Sequence, residues 1–483
     1  MSLLRSRPWL LFAALYFALS APFVGHYPLP SGDEVIGNDP AAEWVLHGRI
    51  QSTLFGELPG FERGYFLQPP GQVLSAAAAY TLVGVSIVST RLHALAWAAV
   101  ALAAWGALTA AWTGSRRAGL FTALFIACIP PLGHAIAGAR MDAQALALVA
   151  FALLLWLPAP GLASRRPVAA GFLLGCAGLT HPIIIFWALG LGAGALVAAP
   201  ERRRQLPYLV GGALVPFAGW MLSAALLPDE FRHQFLGHGA GKLGGFDIFG
   251  LISGEAHRTL LSFSQQPLLP FLYVAGAVAW WRTFRAEPAF RRETSIFAAV
   301  VILGVTFGLE KSSGPHLLYH SALLSVAAAA LVASLLNRAA TPSPWPRRLA
   351  LAFVSVVVSI GAVRWALPRL VALGPQRTAR DHAAFARDIA QLIPPGSNVA
   401  GEPVAYYAVR AAGGWLRLGV APDPRRHHFV ISDARSPWQL GPDFETVAVV
   451  GHPLKPWLGR TFSPSEELHV VVARSRLFAP PAR

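Results

Sequence analysis

Apolar stretches long enough to cross a lipid bilayer recur along the chain from Trp9 to about Leu367, with short loops between them. A helix needs about 20 apolar residues to cross, and it satisfies all of its backbone polar groups internally. Hydrophobic residues make up 54% of the 483 residues and charged residues only 13%, which is outside the range of soluble globular domains. The sequence therefore predicts a polytopic α-helical membrane protein.

The formal net charge is +15, but the basic residues form short clusters between the apolar runs. This distribution indicates topology signals and not a nucleic-acid-binding face. The first apolar stretch resembles a secretory signal peptide, although the many later spans favour an uncleaved anchor. Both cysteines, Cys128 and Cys176, lie inside apolar runs, so no disulfide framework is expected.

The arrangement of the basic clusters also decides how one segment is interpreted. If 69–87 crosses the membrane, the pairs at 116–117 and 165–166 fall outside, against the tendency of arginine to stay inside. If it lies along the outer interface, all clusters fall inside, and its Pro-Pro start and moderate polarity suit an interfacial helix. This interpretation predicts about eleven crossings: 9–25, 91–112, 118–137, 143–158, 168–180, 182–199, 207–227, 267–284, 294–309, 317–336 and 349–367.

On this topology the chain divides into a membrane domain, 1–367, and a small extracytoplasmic α/β domain, 368–483. The first outer loop, 26–90, includes the interfacial helix. Within the second domain the pattern predicts an amphipathic helix around 376–393, followed by the strands "HHFVISD", "TVAVVGH" and "LHVVVARS" between Pro/Gly turns.

Two acidic positions stand out because carboxylates are costly beside apolar segments. Asp33 and Glu34 follow the first apolar stretch directly. Asp33 suits either a general base, or a ligand to a divalent cation, or the cap of a helix. Asp142 begins an apolar run, where a carboxylate also complements the dipole of a helix N-terminus.

Basic and aromatic residues recur in two other outer loops. The glycine-rich loop "FRHQFLGHGAGKLGGF" offers His238 and Lys242, which suit either a phosphate, a metal ion or anionic lipid headgroups. In "GLEKSSGPHLLYH", Lys311 and Tyr319 suit either a phosphate or pyrophosphate site, or interfacial anchors.

The order of these features resembles the integral-membrane glycosyltransferases of the C-type fold, in particular the branch with protein O-mannosyltransferases and lipid A aminoarabinose transferases. The resemblance covers about residues 9 to 340. It rests on five segments in the expected order, namely "GDEVIGNDPAAEWVLHGR", "YFLQPPGQVL", "TRLHALAWA", "ARMDAQALAL" and "GCAGLTHPIII".

The resemblance implies that Asp33 is the catalytic base, with Glu34 beside it, and that Asp142 is the second acid. It also implies a phosphate-binding position at Gln68 and another at His181, where the family usually has lysine. Both departures reduce the fixed positive charge for a lipid phosphate, and Lys242, Arg258 and Lys311 are the candidates to replace it. A divalent metal ion is a candidate cofactor, with His238 as a candidate ligand.

The implied activity is inverting transfer of a sugar from a polyprenyl-phosphate donor to a glycan, lipid or protein acceptor. The expected place is the outer face of the cytoplasmic membrane. A transporter or flippase of lipid-linked intermediates is the alternative, although transporters commonly place charges or broken helices at the midplane. In this sequence the unusual polar residues collect at one surface.

Overall fold

The computed structural model describes residues 7–55, 58, 60–157, 166–198, 200–238, 248–265, 268–283, 288–308, 316–337, 344–456 and 468–478. Up to residue 373 the described secondary-structure elements are all helices. They are α1 (Pro8–Ser20), α2 (Gly32–His47), α3 (Gly71–Val83), α4 (Ile87–Thr113), α5 (Arg116–Cys128), α6 (Pro130–Ala137), α7 (Asp142–Trp156), α8 (Pro167–Thr180), α9 (Ile185–Ala198), α10 (Pro200–Arg203), α11 (Leu206–Leu226), α12 (Pro228–Phe231), α13 (Ile248–Gln265), α14 (Leu268–Thr283), α15 (Pro288–Gly308), α16 (His316–Asn337) and α17 (Trp345–Leu373).

Within the described residues each predicted span is largely helical. In the described part of the chain, four helices are long and apolar enough to cross a membrane by length and composition alone. They are Ile87–Thr113, Glu201–Leu226, Leu317–Asn337 and Trp345–Leu373. The exact number of crossings stays a prediction. The helix α3 has 13 residues and is about 20 Å long, which is short of the roughly 30 Å hydrocarbon layer.

Two prolines decide where apolar runs break. The run predicted as one span at 118–137 is two helices, because Pro130 disfavours the helical conformation at Ile129, whose ψ is 132°. At the predicted break in "THPII", His181 is likewise extended, with φ −144° and ψ 124°, directly before Pro182. A short 3₁₀ turn, Pro182–Ile184, then leads into α9.

The helix that ends at His181 is held in place by close backbone packing. A Cβ on Gly171 would lie 2.0 Å from the carbonyl oxygen of Leu209, and one on Gly175 would lie 2.3 Å from that of Ala213. Only glycine permits α8 and α11 to approach this closely. Both helices therefore keep a fixed position, which also fixes the end of α8.

After α17 the chain forms a small α/β unit. Its elements are α18 (His382–Leu392), β1 (Asn398–Gly401), α19 (Tyr406–Ala411), β2 (Trp415–Arg417), β3 (Phe429–Asp433), β4 (Phe444–Gly451) and β5 (His469–Ser475). The strand order is β2-β1-β3-β5-β4; β1 is parallel to β2 and β3, and β5 is antiparallel to β3 and β4. The three predicted strands coincide with β3, β4 and β5, whereas β1 and β2 were too short to predict.

The apolar core of this unit continues into the segment between α1 and α4. Leu29, Val35, Leu54 and Ile87 belong to the same buried cluster as the sheet and α18. The backbone N–H of Leu418 also donates to the carbonyl of Leu54 at 3.0 Å. The α/β unit is thus packed directly against α2 and the loop that follows it.

Candidate functional site

The N-terminus of α2 places its two acids in different surroundings. The side chain of Ser31 caps the helix and accepts from the backbone N–H of Glu34 at 3.4 Å, so Asp33 is not the cap. Adjacent helical residues do not face one another. The side chain of Asp33 is 63% exposed, whereas that of Glu34 is completely buried.

Glu34 is fully engaged in a buried ion pair. Arg91 of α4 donates from Nε to Oε1 at 2.9 Å and from Nη2 to Oε2 at 2.8 Å. Its Nη1 donates to the carbonyl of Val24 at 3.0 Å. Tyr407 of the α/β unit contacts Glu34 Oε1 at 3.4 Å. This geometry joins α2 to α4, and it leaves Asp33 as the acid of the pair that faces open space.

Arg140 lies between the two acids that the sequence singled out. Its Nη1 contacts Asp33 Oδ2, and its Nε donates to Asp142 Oδ2 at 2.9 Å. The Asp142 side chain is completely buried and that of Arg140 is 17% exposed. The sequence did not mark Arg140, although it stands in the "ARMDA" segment that contains Asp142.

A strained turn directs Arg140 into this position. Ala139 has φ +42°, a left-handed conformation that costs a non-glycine residue about 1–2 kcal/mol. Its carbonyl accepts from Gln72 Nε2 at 2.7 Å and from Asn38 Nδ2 at 3.3 Å. Asn38 also donates to the carbonyl of Glu34 at 2.7 Å. Two side-chain amides, one from α3 and one from α2, thus hold the turn against its strain.

His181 and Tyr319 complete the surroundings of Asp142. The Tyr319 hydroxyl donates to Asp142 Oδ1 at 3.3 Å, and His181 Nε2 lies 3.7 Å from the same oxygen. The Nδ1 of His181 accepts from the backbone N–H of Ile183 at 3.1 Å. A neutral imidazole therefore carries its proton on Nε2, the atom that faces Asp142. Tyr319 is buried and touches Asp142, so it is not at the exposed interface.

The start of α3 brings the Gln68 segment to the same end of the helices. Gln68 is partly exposed, and its Oε1 lies 3.8 Å from the place that a Cβ on Gly37 would occupy. A Cβ on Gly71 would lie 2.7 Å from Thr180 Oγ1. The segment therefore packs against α2 and against the residue that precedes His181.

The other predicted phosphate and metal residues remain predictions. Lys242 and Lys311 lie outside the described residues, as does the side chain of Arg258 in α13. His238 is exposed at the end of the segment that follows α12. Among the residues that the structure describes, no group of three or more His, Cys, Asp or Glu side chains could hold a metal ion.

A second polar cluster connects α2 to the α/β unit, and no sequence pattern predicted it. Asp39 is completely buried. Its Oδ1 accepts from the Tyr406 hydroxyl at 2.7 Å, and its Oδ2 accepts from the Ser52 hydroxyl at 2.8 Å and from the Thr53 N–H at 3.1 Å. Burial raises the pKa of Asp39, and the nearby Arg410 opposes that shift.

Arg410 of α19 completes this cluster. It pairs with Glu43, and its Nη2 lies 3.7 Å from Asp39 Oδ1. Glu43 also accepts from Gln51 Nε2 at 3.0 Å. Because Glu34, Asp39 and Glu43 all lie on α2, three buried acids tie this one helix to α4 and to the α/β unit. Asp33, on the same helix, is the acid that remains exposed.

The described part of the chain has a fold similar to that of solved membrane proteins of the C-type glycosyltransferase fold. It superimposes on the crystal structure of ArnT from Cupriavidus metallidurans bound to undecaprenyl phosphate with a TM-score of 0.62, at 18% identity, over 98% of each chain. The apo ArnT structure gives a TM-score of 0.61 at 17% identity over 98% of this chain and 99% of that one.

An archaeal structure is similar over a shorter part. It is oligosaccharyltransferase AglB from Archaeoglobus fulgidus, in complex with an inhibitory peptide and a dolichol-phosphate, with a TM-score of 0.50 and 14% identity over 88% of this chain and 69% of that one. No protein-family model and no curated protein sequence matches the chain. The fold class and the resemblance inferred from the sequence are confirmed; the site roles are not tested by these likenesses.

Proposed function

We propose that this protein is a glycosyltransferase that moves a sugar from a polyprenyl-phosphate donor to a hydroxyl group of a glycan, lipid or protein acceptor. The observation that carries the proposal is the exposed carboxylate of Asp33, placed beside the guanidinium of Arg140 at the start of α2. A proton acceptor and a fixed cation side by side are what a displacement at a sugar phosphate requires. The similarity to ArnT, crystallised with undecaprenyl phosphate, supports a lipid-phosphate ligand.

In the proposed step, Asp33 takes the proton from the acceptor hydroxyl, and the acceptor oxygen attacks the anomeric carbon of the donor. The bond between that carbon and the phosphate oxygen breaks, and its electron pair stays on the phosphate. The products are the glycosylated acceptor with inverted configuration, polyprenyl phosphate, and a proton on Asp33. Positive charge near the leaving phosphate lowers the barrier because negative charge develops there in the transition state.

The residues around Asp33 have different proposed roles. Asp142 holds Arg140 in place, and Tyr319 and His181 orient Asp142 through its Oδ1. Glu34 is a positioning residue, because both of its oxygens are taken by Arg91. This pair of acids does not suit a divalent cation, because Arg140 Nε holds Asp142 and leaves Asp33 as the open carboxylate of the pair.

Further predictions from the sequence belong to this proposal. Gln68, together with Lys242, Arg258 and Lys311, would complete the donor phosphate site, with the metal role of His238 secondary. The reaction would take place at the outer face of the cytoplasmic membrane. The α/β unit would lie on that face as a second domain, since it packs on the same helix, α2, that carries Asp33.

A donor panel tests the proposal. Purified protein in lipid nanodiscs is mixed with polyprenyl phosphates that carry different sugars and with envelope lipid and glycan acceptors, and the release of polyprenyl phosphate is followed. We expect at least one donor to release polyprenyl phosphate only when an acceptor is present. The sugar in the product should have inverted configuration. Absence of turnover with every donor, together with transbilayer movement of the labelled lipid, would favour a flippase instead.

A further inference from the structure

We infer that Arg140 is the receptor for the donor's lipid-phosphate group, and that binding of the phosphate releases Asp33 from its ion pair with Arg140. This inference rests on the proposed function and names a regulation of the same site. Gln68 and His181 provide no fixed positive charge for the phosphate, and Arg140 supplies it instead. Arg140 forms ion pairs with two acids that differ in burial, and this difference carries the inference.

The two ion pairs of Arg140 differ in burial, and burial decides which one yields. Asp142 is completely buried and receives Nε at 2.9 Å, while the Asp33 side chain is 63% exposed. A solvent-exposed ion pair contributes little to stability, whereas removing the partner of a buried charge is strongly unfavourable. An incoming anion therefore displaces Asp33 from Arg140, and Asp142 stays bound.

Arg140 also has capacity for a phosphate. In the described part of the chain its contacts use Nε and Nη1. The guanidinium is planar with five N–H donors, and it binds phosphate oxygens through two parallel hydrogen bonds. With Nε held by Asp142, the Nη1 and Nη2 groups remain for the ligand once Asp33 leaves.

The turn at Ala139 keeps the guanidinium in place while its partners change. The carbonyl of Ala139 is bound by the side-chain amides of Gln72 and Asn38, so the backbone before Arg140 does not depend on Asp33. A cation fixed in this way does not have to reorganise when charge develops on the leaving phosphate. Arg140 contacts Asp33 Oδ2, one of the two atoms that would take the acceptor proton.

The consequence is an ordered use of the site. Acceptor activation by Asp33 follows donor binding, because the donor's phosphate is what frees the carboxylate. The site then has its base and its cation on separate substrates, the base on the acceptor hydroxyl and the cation on the phosphate.

Binding of undecaprenyl phosphate to the full-length protein in nanodiscs tests this inference without any transfer reaction. Asp33→Asn should bind the phosphate about 3- to 10-fold more tightly, because it removes the anion that competes for Arg140. Arg140→Gln should bind it about 10-fold more weakly or worse. Undecaprenol, which has no phosphate, should bind equally to all variants.

A double variant and a surface control keep the test sharp if Arg140→Gln is poorly folded. The gain from Asp33→Asn should vanish in the double variant Asp33→Asn, Arg140→Gln. Arg49→Gln, which removes an exposed arginine of the same loop, should bind like the wild type. Unchanged or weaker binding by Asp33→Asn, or a gain that survives in the double variant, would overturn the inference.

The outcomes separate this inference from the proposed function. If the variants show the expected binding pattern but the protein transfers no sugar, Arg140 is the phosphate receptor and the glycosyltransferase proposal is wrong. If the protein transfers sugar but these substitutions do not change phosphate binding, the glycosyltransferase proposal stands and the role of Arg140 is wrong.

Discussion

Replacing Tyr406 by phenylalanine removes one hydroxyl that joins the α/β unit to α2. That hydroxyl donates to Asp39 at 2.7 Å, and both side chains are buried. A hydrogen bond to a charged group contributes about 1.5–3 kcal/mol when its loss leaves a buried partner. Asp39 keeps its bonds from Ser52 and Thr53, so we expect a loss of about 2 kcal/mol in the free energy of unfolding.

Tyr407→Phe is the matched control, because the neighbouring tyrosine makes a much weaker contact with α2. Its hydroxyl lies 3.4 Å from Glu34 Oε1, an oxygen that Arg91 already satisfies at 2.9 Å. We therefore expect a loss below about 1 kcal/mol for Tyr407→Phe. The two substitutions remove the hydroxyl from adjacent buried rings. Because the Tyr407 hydroxyl also interacts with Thr90, a double-mutant cycle with Asp39→Asn is what isolates the bond to Asp39.

The two cysteines of the protein provide the assay. Cys128 and Cys176 are unpaired and partly buried, so a thiol-reactive dye reports their exposure on heating. We expect the thermal midpoint of Tyr406→Phe to fall by a few degrees, and a double-mutant cycle with Asp39→Asn to show coupling of about 0.5–3 kcal/mol. Equal midpoints for the two phenylalanine variants, or a coupling near zero, would refute the idea that this bond holds the α/β unit on α2.

Four further perturbations follow from the structure. Glu34→Gln leaves Arg91 buried without its counter-charge and should destabilise the protein by about 3–5 kcal/mol; normal yield and thermal midpoint would contradict this. Burial lowers the pKa of His382 to about 4, below its ordinary 6.5, so the unfolded chain takes up a proton first. The contribution of neutral His382 to the free energy of unfolding is present above pH 6.5 and should fall by up to about 3 kcal/mol as the pH drops to 4. His382→Gln should flatten that part of the curve of thermal midpoint against pH, and an unchanged curve would contradict this. Ala139→Gly removes the strain of the left-handed conformation and should raise the free energy of unfolding by about 1 kcal/mol. A lower thermal midpoint would show that the turn is not strained. Turnover should persist in EDTA because Asp142 stays paired with Arg140 when the donor binds, so Asp33 and Asp142 are not both open to a cation; a loss restored by Mg²⁺ or Mn²⁺ would show a metal requirement.

The positions of the membrane helices could be predicted because each depends on a local apolar run. The break at Pro130 was missed because the apolar pattern continues across it, and only the backbone effect of the proline reveals two helices. The break at Pro182 was predicted because the run 168–199 has room for two short spans and the proline removes a backbone donor. The helix at 71–83 lies within the interfacial segment predicted at 69–87.

The candidate site could be predicted only in part. The sequence indicated Asp33 and Asp142, but the separation of roles between Asp33 and Glu34 depends on Arg91, which lies 57 residues from Glu34 in the sequence. The role of Arg140 depends on the conformation of Ala139, which no sequence pattern prescribes. The contact between Asp39 and Tyr406 joins residues 367 positions apart, and local periodicity carries no information about such a pair.

Turnover by Asp33→Asn with a productive donor and acceptor tests the central claim most directly. Asparagine keeps the shape of the side chain and removes the proton acceptor. Because the Asp33 side chain is exposed, the substitution should leave folding intact, and the thermal midpoint checks this. We expect kcat to fall about 10²-fold or more, with the midpoint unchanged and donor binding no weaker than in the wild type. Near-normal kcat in Asp33→Asn, with the same donor and acceptor, would contradict the assignment of Asp33 as the base.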